Sequence, residues 1–230
     1  PFNLEFASEL SDVFTRIEND ANVTALILSS TNDKFFSIGF DIPHLFELSR
    51  EEFETFYRAF NRACITLYTL SKPTIAAING YALGSGYELA LACDIRIAAE
   101  DAPIGSPEAR VASSVTGGAM RLLQDLVGPG KASELLFTAE NIDGKEAERI
   151  GLVNRAVPSE RLMDEAMEMA RKIAANAPVS LQMIKKGLLM ARGEASLDAI
   201  MTFEVEACLS CVSSTDRQSA LKSFEGRKRT

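Results

Sequence analysis

The sequence lacks features on which several classes of protein depend. It contains a single histidine, His44, and four cysteines, of which only Cys208 and Cys211 form a CxxC pair. No second pair or nearby histidine completes a zinc site, and we expect all four cysteines to be reduced thiols. A serine or cysteine triad built on His44 is also disfavoured, because a lone histidine just after Pro43 at a predicted helix start is typical of a surface or capping residue.

Long apolar runs and basic stripes are also missing. No segment approaches the length of a membrane span, and the first residues have neither the charged start nor the apolar stretch of a signal peptide. The net charge of −8, with no basic stripe, makes nucleic acid a poor partner. We therefore expect a cytoplasmic protein with no membrane or nucleic-acid partner, and the 47% of hydrophobic residues are enough for a real core.

The predicted secondary structure changes in type near Arg161. Before this residue, amphipathic helices alternate with short β-rich runs such as residues 23–30 and 74–78, whereas the pattern after it is helical. The boundary divides the chain into residues 1–160 and 161–230. Because a helical pattern begins at once, we also expect that the first element of the fold precedes this sequence.

Two of the helices can be predicted in some detail. Ser49 and Glu52 form a capping box that starts a long helix ending near Leu70. Its predicted buried side consists of Phe53, Phe56, Phe60, Ala63, Ile65 and Leu67. A later helix starts at Pro178. Its apolar stripe consists of Leu181, Ile184, Leu188 and Ala191.

Two glycine turns follow predicted strands. Gly84-Ser85-Gly86 has the spacing of neither a nucleophile elbow, a phosphate loop nor a dinucleotide fingerprint. It does aim backbone N–H groups outward at a helix start, with Glu88 in the first turn, and residues 37–41 form a second turn of the same kind. Two such N–H groups could converge on one oxygen and polarise a carbonyl. Spacing alone leaves open the alternative of two ordinary strand-to-helix turns with capping acids.

Three stretches of the chain resemble the crotonase (enoyl-CoA hydratase/isomerase) superfamily. Residues 36–42, 72–98 and 104–108 match its motifs in order and spacing, and the similarity continues to Phe224. Only the family's usual N-terminal strands are lacking. The resemblance implies an α/β fold of the ClpP/crotonase type, a spiral of strand-strand-helix repeats over residues 1–160. The C-terminal helical region, residues 161–230, would then pack subunits into homotrimers or dimers of trimers.

The same resemblance implies the parts of an active site. The backbone N–H groups of Phe40 and Ser85 would form an oxyanion hole, and Glu88 and Glu108 would be the catalytic acid/base pair. Further substrate-binding positions implied by the motifs are Gly39, Asp41, Ile42, Gly84 and Gly86. Because a helix N-terminus lowers the pKa of a nearby carboxyl group, we expect Glu108 rather than Glu88 to be the protonated partner.

The substrate implied by the resemblance is an acyl-coenzyme A thioester. Coenzyme A is then part of the substrate, and neither a further cofactor nor a metal is expected. Lys222 and Lys228 are candidates for contacts with its phosphates, although a solvated basic tail is an equally good interpretation.

The leading functional hypothesis is an enoyl-CoA hydratase, a lyase of fatty acid metabolism. An enoyl-CoA isomerase, an acyl-CoA hydrolase or carbon–carbon lyase, and a non-catalytic binding protein remain alternatives; retention of both glutamates favours hydration. The sequence departs from the family's pattern at Phe40, Ser85 and Tyr87, which are larger than usual. Residues 109–118 are one residue short and lack a Pro-Gly pair. These departures leave the acyl group undetermined.

Overall fold

The structure is a computed structural model, and it describes residues 2–193 and 195–212. The strands are β1 Leu26–Leu28, β2 Phe35–Ser37, β3 Thr74–Ile78, β4 Tyr81–Leu83, β5 Ile95–Ala99, β6 Ile104–Gly105 and β7 Arg155–Val157. The helices are α1 Leu4–Asn19, α2 Ile42–Glu47, α3 Arg50–Thr69, α4 Ser85–Leu91, α5 Ala119–Thr138, α6 Gly144–Arg149, α7 Leu162–Ala174, α8 Pro178–Arg192 and α9 Leu197–Val212. Two short 3₁₀ helices cover Glu108–Val111 and Ser159–Arg161.

The strands form two parallel sheets. One has the order β1-β3-β5-β7 and the other the order β2-β4-β6. Successive strands alternate between the sheets, so each pair along the chain adds one strand to each sheet before the next helix. This arrangement confirms the predicted α/β spiral of strand-strand-helix repeats.

Local sequence signals account for the best-predicted elements. All five residues of β3 are buried, as expected for an apolar run bounded by Pro73 and the turn at Asn79-Gly80. The capping box is present, because the Ser49 N–H donates to the Glu52 carboxylate at 2.8 Å and the Glu52 N–H donates to the Ser49 hydroxyl at 3.3 Å. Both predictions are confirmed.

Two residues assigned to the buried side of α3 were predicted wrongly. Phe53 is 37% exposed and Ile65 is 54% exposed. The helix buries the face that carries Phe56, Phe60 and Leu67. Ile65 lies off this face, whereas Phe53 sits at its edge against the cavity described below.

The elements after β7 are all helical within the described residues. Leu162 and Ala166 of α7 are buried against Ile75 and Ile97 of the four-stranded sheet. The division of the chain at residues 160 and 161 remains a prediction. No helix in the described part of the chain is long and apolar enough to cross a membrane.

Helix α8 is attached to the sheet by a charged residue rather than by its apolar stripe. Lys185 is buried, and its ammonium group donates to the Asp94 carboxylate at 2.7 Å and to the Lys72 carbonyl at 3.0 Å. Ile184 and Leu188 of the predicted stripe are 61% and 56% exposed. This part of the stripe therefore faces outward, and Lys185 is buried instead.

Candidate active site

Three turns meet at the carboxyl ends of three neighbouring strands. β2, β4 and β6 lie side by side and run parallel, so their carboxyl ends share one edge of the sheet. The turn at Gly39 follows β2, the turn at Gly84 follows β4, and Glu108 follows β6. Parallel sheets bind ligands at such edges.

The first two turns touch each other. A β-carbon added to Gly39 would lie 3.0 Å from the Leu83 carbonyl oxygen and 3.2 Å from the Ser85 nitrogen. Gly39 and Gly84 have φ values of +88° and +55°, a region that glycine enters without steric cost. The sequence therefore has glycine where close contact and backbone conformation both require it.

The two N–H groups predicted to form the oxyanion hole lie in these turns. Ser85 is the first residue of α4, so its N–H has no acceptor within the helix. On the other turn, the Phe2 N–H donates to the Gly39 carbonyl and the Asp41 N–H donates to the Phe2 carbonyl. In this parallel pairing the N–H of Phe40, the residue between them, points away from Phe2. The role of these two N–H groups as an oxyanion hole remains a prediction.

Glu88 is a buried carboxyl group held by two hydrogen bonds. It is 1% exposed, and the Thr116 N–H donates to its Oε1 at 2.5 Å while the Thr116 hydroxyl donates to its Oε2 at 2.7 Å. Burial raises the pKa of Glu88 to about 7, although both hydrogen bonds act to lower it. Burial is therefore the largest effect on this pKa. The choice of Glu108 as the protonated partner remains a prediction.

Glu108 begins a 3₁₀ helix after β6. The Ser106 hydroxyl donates to its Oε2. A β-carbon at Gly84 would lie 2.7 Å from its Oε1. Glu108 is therefore in contact with the turn that carries Ser85.

One small cavity joins these parts. It has a volume of about 220 Å³, and Gly39, Phe40, Gly84, Glu88 and Glu108 all line it. Its apolar wall consists of Ile38, Leu45, Phe53, Tyr57 and Val111. The carboxyl pair and the turns that carry both N–H donors thus share a mainly apolar space.

The other predicted substrate-binding residues have different surroundings. The Asp41 side chain accepts the N–H of His44 and caps α2, and Gly86 packs against Ser37 at the end of β2. The side chain of Ile42 and the candidate residues Lys222 and Lys228 lie outside the described residues. The exposed His44 lies in the first turn of α2, as its sequence context predicts.

Three residues of the site were not identified from the sequence. Ser106 could have been found, because it lies two residues before Glu108. Tyr57 was hidden in the amphipathic pattern of α3, although its ring lines the cavity. Thr116 has no sequence feature that marks it, because only the folded chain brings it to Glu88.

The Ser85 hydroxyl is buried and has no hydrogen-bond partner among the described residues.

Comparison with known proteins identifies the family. The enoyl-CoA hydratase/isomerase family matches residues 1–230. The chain belongs to this family. It is 41% identical over 228 residues to the short-chain-enoyl-CoA hydratase of Clostridium acetobutylicum, covering 98% of this chain and 87% of that protein. It is 35% identical over 227 residues to the crotonyl-CoA hydratase of Syntrophomonas wolfei, with coverage of 98% and 87%.

A solved structure supports the same assignment. The crystal structure of enoyl-CoA hydratase from Bacillus anthracis superposes with a TM-score of 0.94 at 33% identity, covering 98% of this chain and 87% of that chain. The protein is therefore an enzyme of the hydratase/isomerase type, a family that acts on coenzyme A thioesters. Residues 2–193 and 195–212 contain no group of three or more histidine, cysteine, aspartate or glutamate side chains that could hold a metal ion.

Proposed function

We propose that this enzyme adds water to a short 2-enoyl-CoA thioester. The observation that carries the proposal is the shared cavity, in which Glu88 and Glu108 lie beside the Gly39–Phe40 and Gly84 turns. Hydration of a double bond conjugated to a thioester needs an activated water, a proton for the α carbon and stabilisation of enolate charge. The two carboxyl groups and the N–H groups of the two turns are our candidates for these needs.

The proposed reaction assigns these groups as follows. The N–H groups of Phe40 and Ser85 bind the thioester oxygen and stabilise the negative charge that develops there. Glu88 and Glu108 hold one water molecule, whose hydroxyl adds to the β carbon while a proton is delivered to the α carbon. With a pKa of about 7, Glu88 can either accept or donate a proton near neutral pH.

The size of the cavity supports a short acyl group. Its volume of about 220 Å³ is below the roughly 300–1,000 Å³ of pockets for drug-sized ligands. The Phe40 ring packs edge-on against Phe56, Tyr57 and Phe60, with centroids 4.6, 5.1 and 5.0 Å away. The similarity to proteins named for short-chain and crotonyl substrates agrees with this proposal.

The proposal extends to the assembly and the setting of the enzyme. Ile184 and Leu188 of α8, with Met201 and Val205 of α9, are each more than half exposed, which favours an interface between subunits. We infer a homotrimer or a dimer of trimers, and light scattering after size exclusion tests it. A cytoplasmic location and a role in fatty acid metabolism rest on the family resemblance.

A panel of coenzyme A thioesters tests the function. The purified protein is incubated with saturated, 2-enoyl, 3-enoyl and 3-hydroxyacyl-CoA, and the products are identified by mass spectrometry. A hydratase adds water to the 2-enoyl substrate and removes water from the 3-hydroxyacyl substrate. Conversion of 3-enoyl to 2-enoyl without water gain would favour the isomerase, and release of free coenzyme A would favour the hydrolase.

A further inference from the structure

Thr116 holds both oxygens of Glu88. One residue supplies two donors, its backbone N–H to Oε1 at 2.5 Å and its hydroxyl to Oε2 at 2.7 Å. We propose that Thr116 is a positioning residue that fixes the orientation of the Glu88 carboxyl group and favours its ionised form. The inference rests on the proposed function, in which Glu88 takes part in proton transfer.

Two donors fix a carboxyl group more firmly than one. A single hydrogen bond would leave the group free to rotate about its last side-chain bond, whereas a donor at each oxygen fixes the carboxyl plane. Thr116 and Glu88 both line the cavity. Fixing this plane therefore sets the direction in which the remaining lone pairs of Glu88 meet a ligand.

Thr116 is itself held in place by contacts that do not involve the Glu88 carboxyl group. The Gly117 N–H donates to the Asn61 Oδ1 at 2.7 Å. Gly117 has a φ of +58°, and a β-carbon there would lie 3.1 Å from the Cys64 Sγ. The segment is thus anchored to α3, so the position of Thr116 does not depend on the orientation of the Glu88 carboxyl group.

Among the charged and titratable groups of the described residues, none around Glu88 favours its ionised form. The groups that interact electrostatically with it are Glu108 from the turn after β6, Tyr57 and Cys64 from α3, and Tyr87 from α4. All four are acids, which are neutral or negative. Burial also opposes ionisation, and the two groups of Thr116 lower the pKa of Glu88. Without the hydroxyl, this pKa should move further above about 7.

The test compares Thr116→Val, which removes the hydroxyl at nearly constant shape, with Thr116→Ser, which retains it. The Glu88 titration is followed by carbon NMR of protein labelled at the glutamate side-chain carboxyl, with the signal assigned by its loss in Glu88→Gln. We expect Thr116→Val to raise the titration midpoint by about one pH unit or more, and the pH dependence of kcat to shift in the same direction. At neutral pH, kcat should fall roughly tenfold with KM little changed.

Thr66→Val is the matched control, because the Thr66 hydroxyl donates to the Arg62 carbonyl of its own helix, α3. If Thr116→Val does not fold, Thr116→Ala removes the same donor. An unmoved midpoint in the variant that lacks the hydroxyl, or an equal shift in Thr116→Ser, would overturn the proposal. A shifted midpoint in a protein that hydrates no enoyl-CoA would support the Thr116 contact and overturn the proposed function.

Discussion

The carboxylate of Glu108 occupies space that the absence of a side chain at Gly84 leaves free. A β-carbon at residue 84 would lie 2.7 Å from the Glu108 Oε1, well inside van der Waals contact. Gly84 also has a φ of +55° and a ψ of −126°, a conformation confined almost entirely to glycine. The turn that presents the Ser85 N–H and the position of Glu108 therefore depend on the same residue.

Replacing this glycine should damage activity more than stability. In Gly84→Ala the added methyl group displaces the Glu108 carboxylate and strains the turn, and we expect kcat to fall at least about 100-fold. Gly130→Ala is the control, because a β-carbon there meets no atom within 4 Å. Turnover of a 2-enoyl-CoA and thermal unfolding are measured for both variants. Equal activity in the two would contradict the contact.

The paired carboxyl groups make a prediction that separates a hydratase from an isomerase. Glu88→Gln and Glu108→Gln should each lower kcat by roughly two to four orders of magnitude, with little change in coenzyme A binding. An isomerase would depend on one of them alone. Stopped-flow or steady-state rates on the preferred enoyl-CoA decide between the two. Full activity in either variant would refute the paired mechanism.

The raised pKa of Glu88 predicts how stability depends on pH. Burial raises this pKa from 4.5 to about 7, so between these values the folded chain keeps a proton that the unfolded chain has lost. The folded state then binds more protons, and this contribution to stability falls as pH rises through the window. Glu88→Gln removes this pH-dependent contribution. Relative to the wild type, the free energy of unfolding of the variant should therefore increase by up to about 3 kcal/mol between about pH 4 and pH 8.

Denaturant unfolding at several pH values measures this gain. Glutamine fits the site, because its carbonyl can accept the Thr116 N–H and its amide can donate to the Thr116 hydroxyl oxygen. Glu140→Gln, at an exposed position, is the matched control. A difference between Glu88→Gln and the wild type that stays constant with pH would show that the buried carboxyl group does not titrate in this range.

Because Phe40 lines the cavity, we expect its ring to limit the length of the acyl chain that the enzyme accepts. Phe40→Ala should enlarge the cavity and raise kcat/KM for six- and eight-carbon enoyl-CoA relative to the four-carbon substrate by about tenfold or more, the usual worth of a few methylene contacts. Phe137→Ala, at a residue that is 81% exposed, is the control. An unchanged preference would show that other residues set the chain length. Thermal unfolding confirms that the variant is folded.

The elements that local interactions determine could be predicted from the sequence. β3 and the start of α3 follow from an apolar run between turn residues and from a capping box, so both were found. The helix terminus at Glu88 is visible in the sequence, whereas the depth of burial that dominates the pKa of Glu88 depends on the whole fold. The contact between Thr116 and Glu88 was not found for the same reason.

The outward-facing stripe of α8 shows a similar limit. Apolar residues at helical spacing indicate a face that packs, but not the partner. In the fold it is Lys185 of α8 that is buried, where it pairs with Asp94. A lysine within a helical pattern is normally expected at the surface, so its burial could be recognised only in the fold.

The meeting of three turns at one sheet edge makes the parts of the site interdependent. Phe40 follows β2, Ser85 and Glu88 follow β4, and Glu108 follows β6. Gly39 packs against the turn at Ser85, and Gly84 borders the Glu108 carboxylate. A substitution in one turn is therefore transmitted to the other two, so an engineered change of reaction requires that all three turns be varied together.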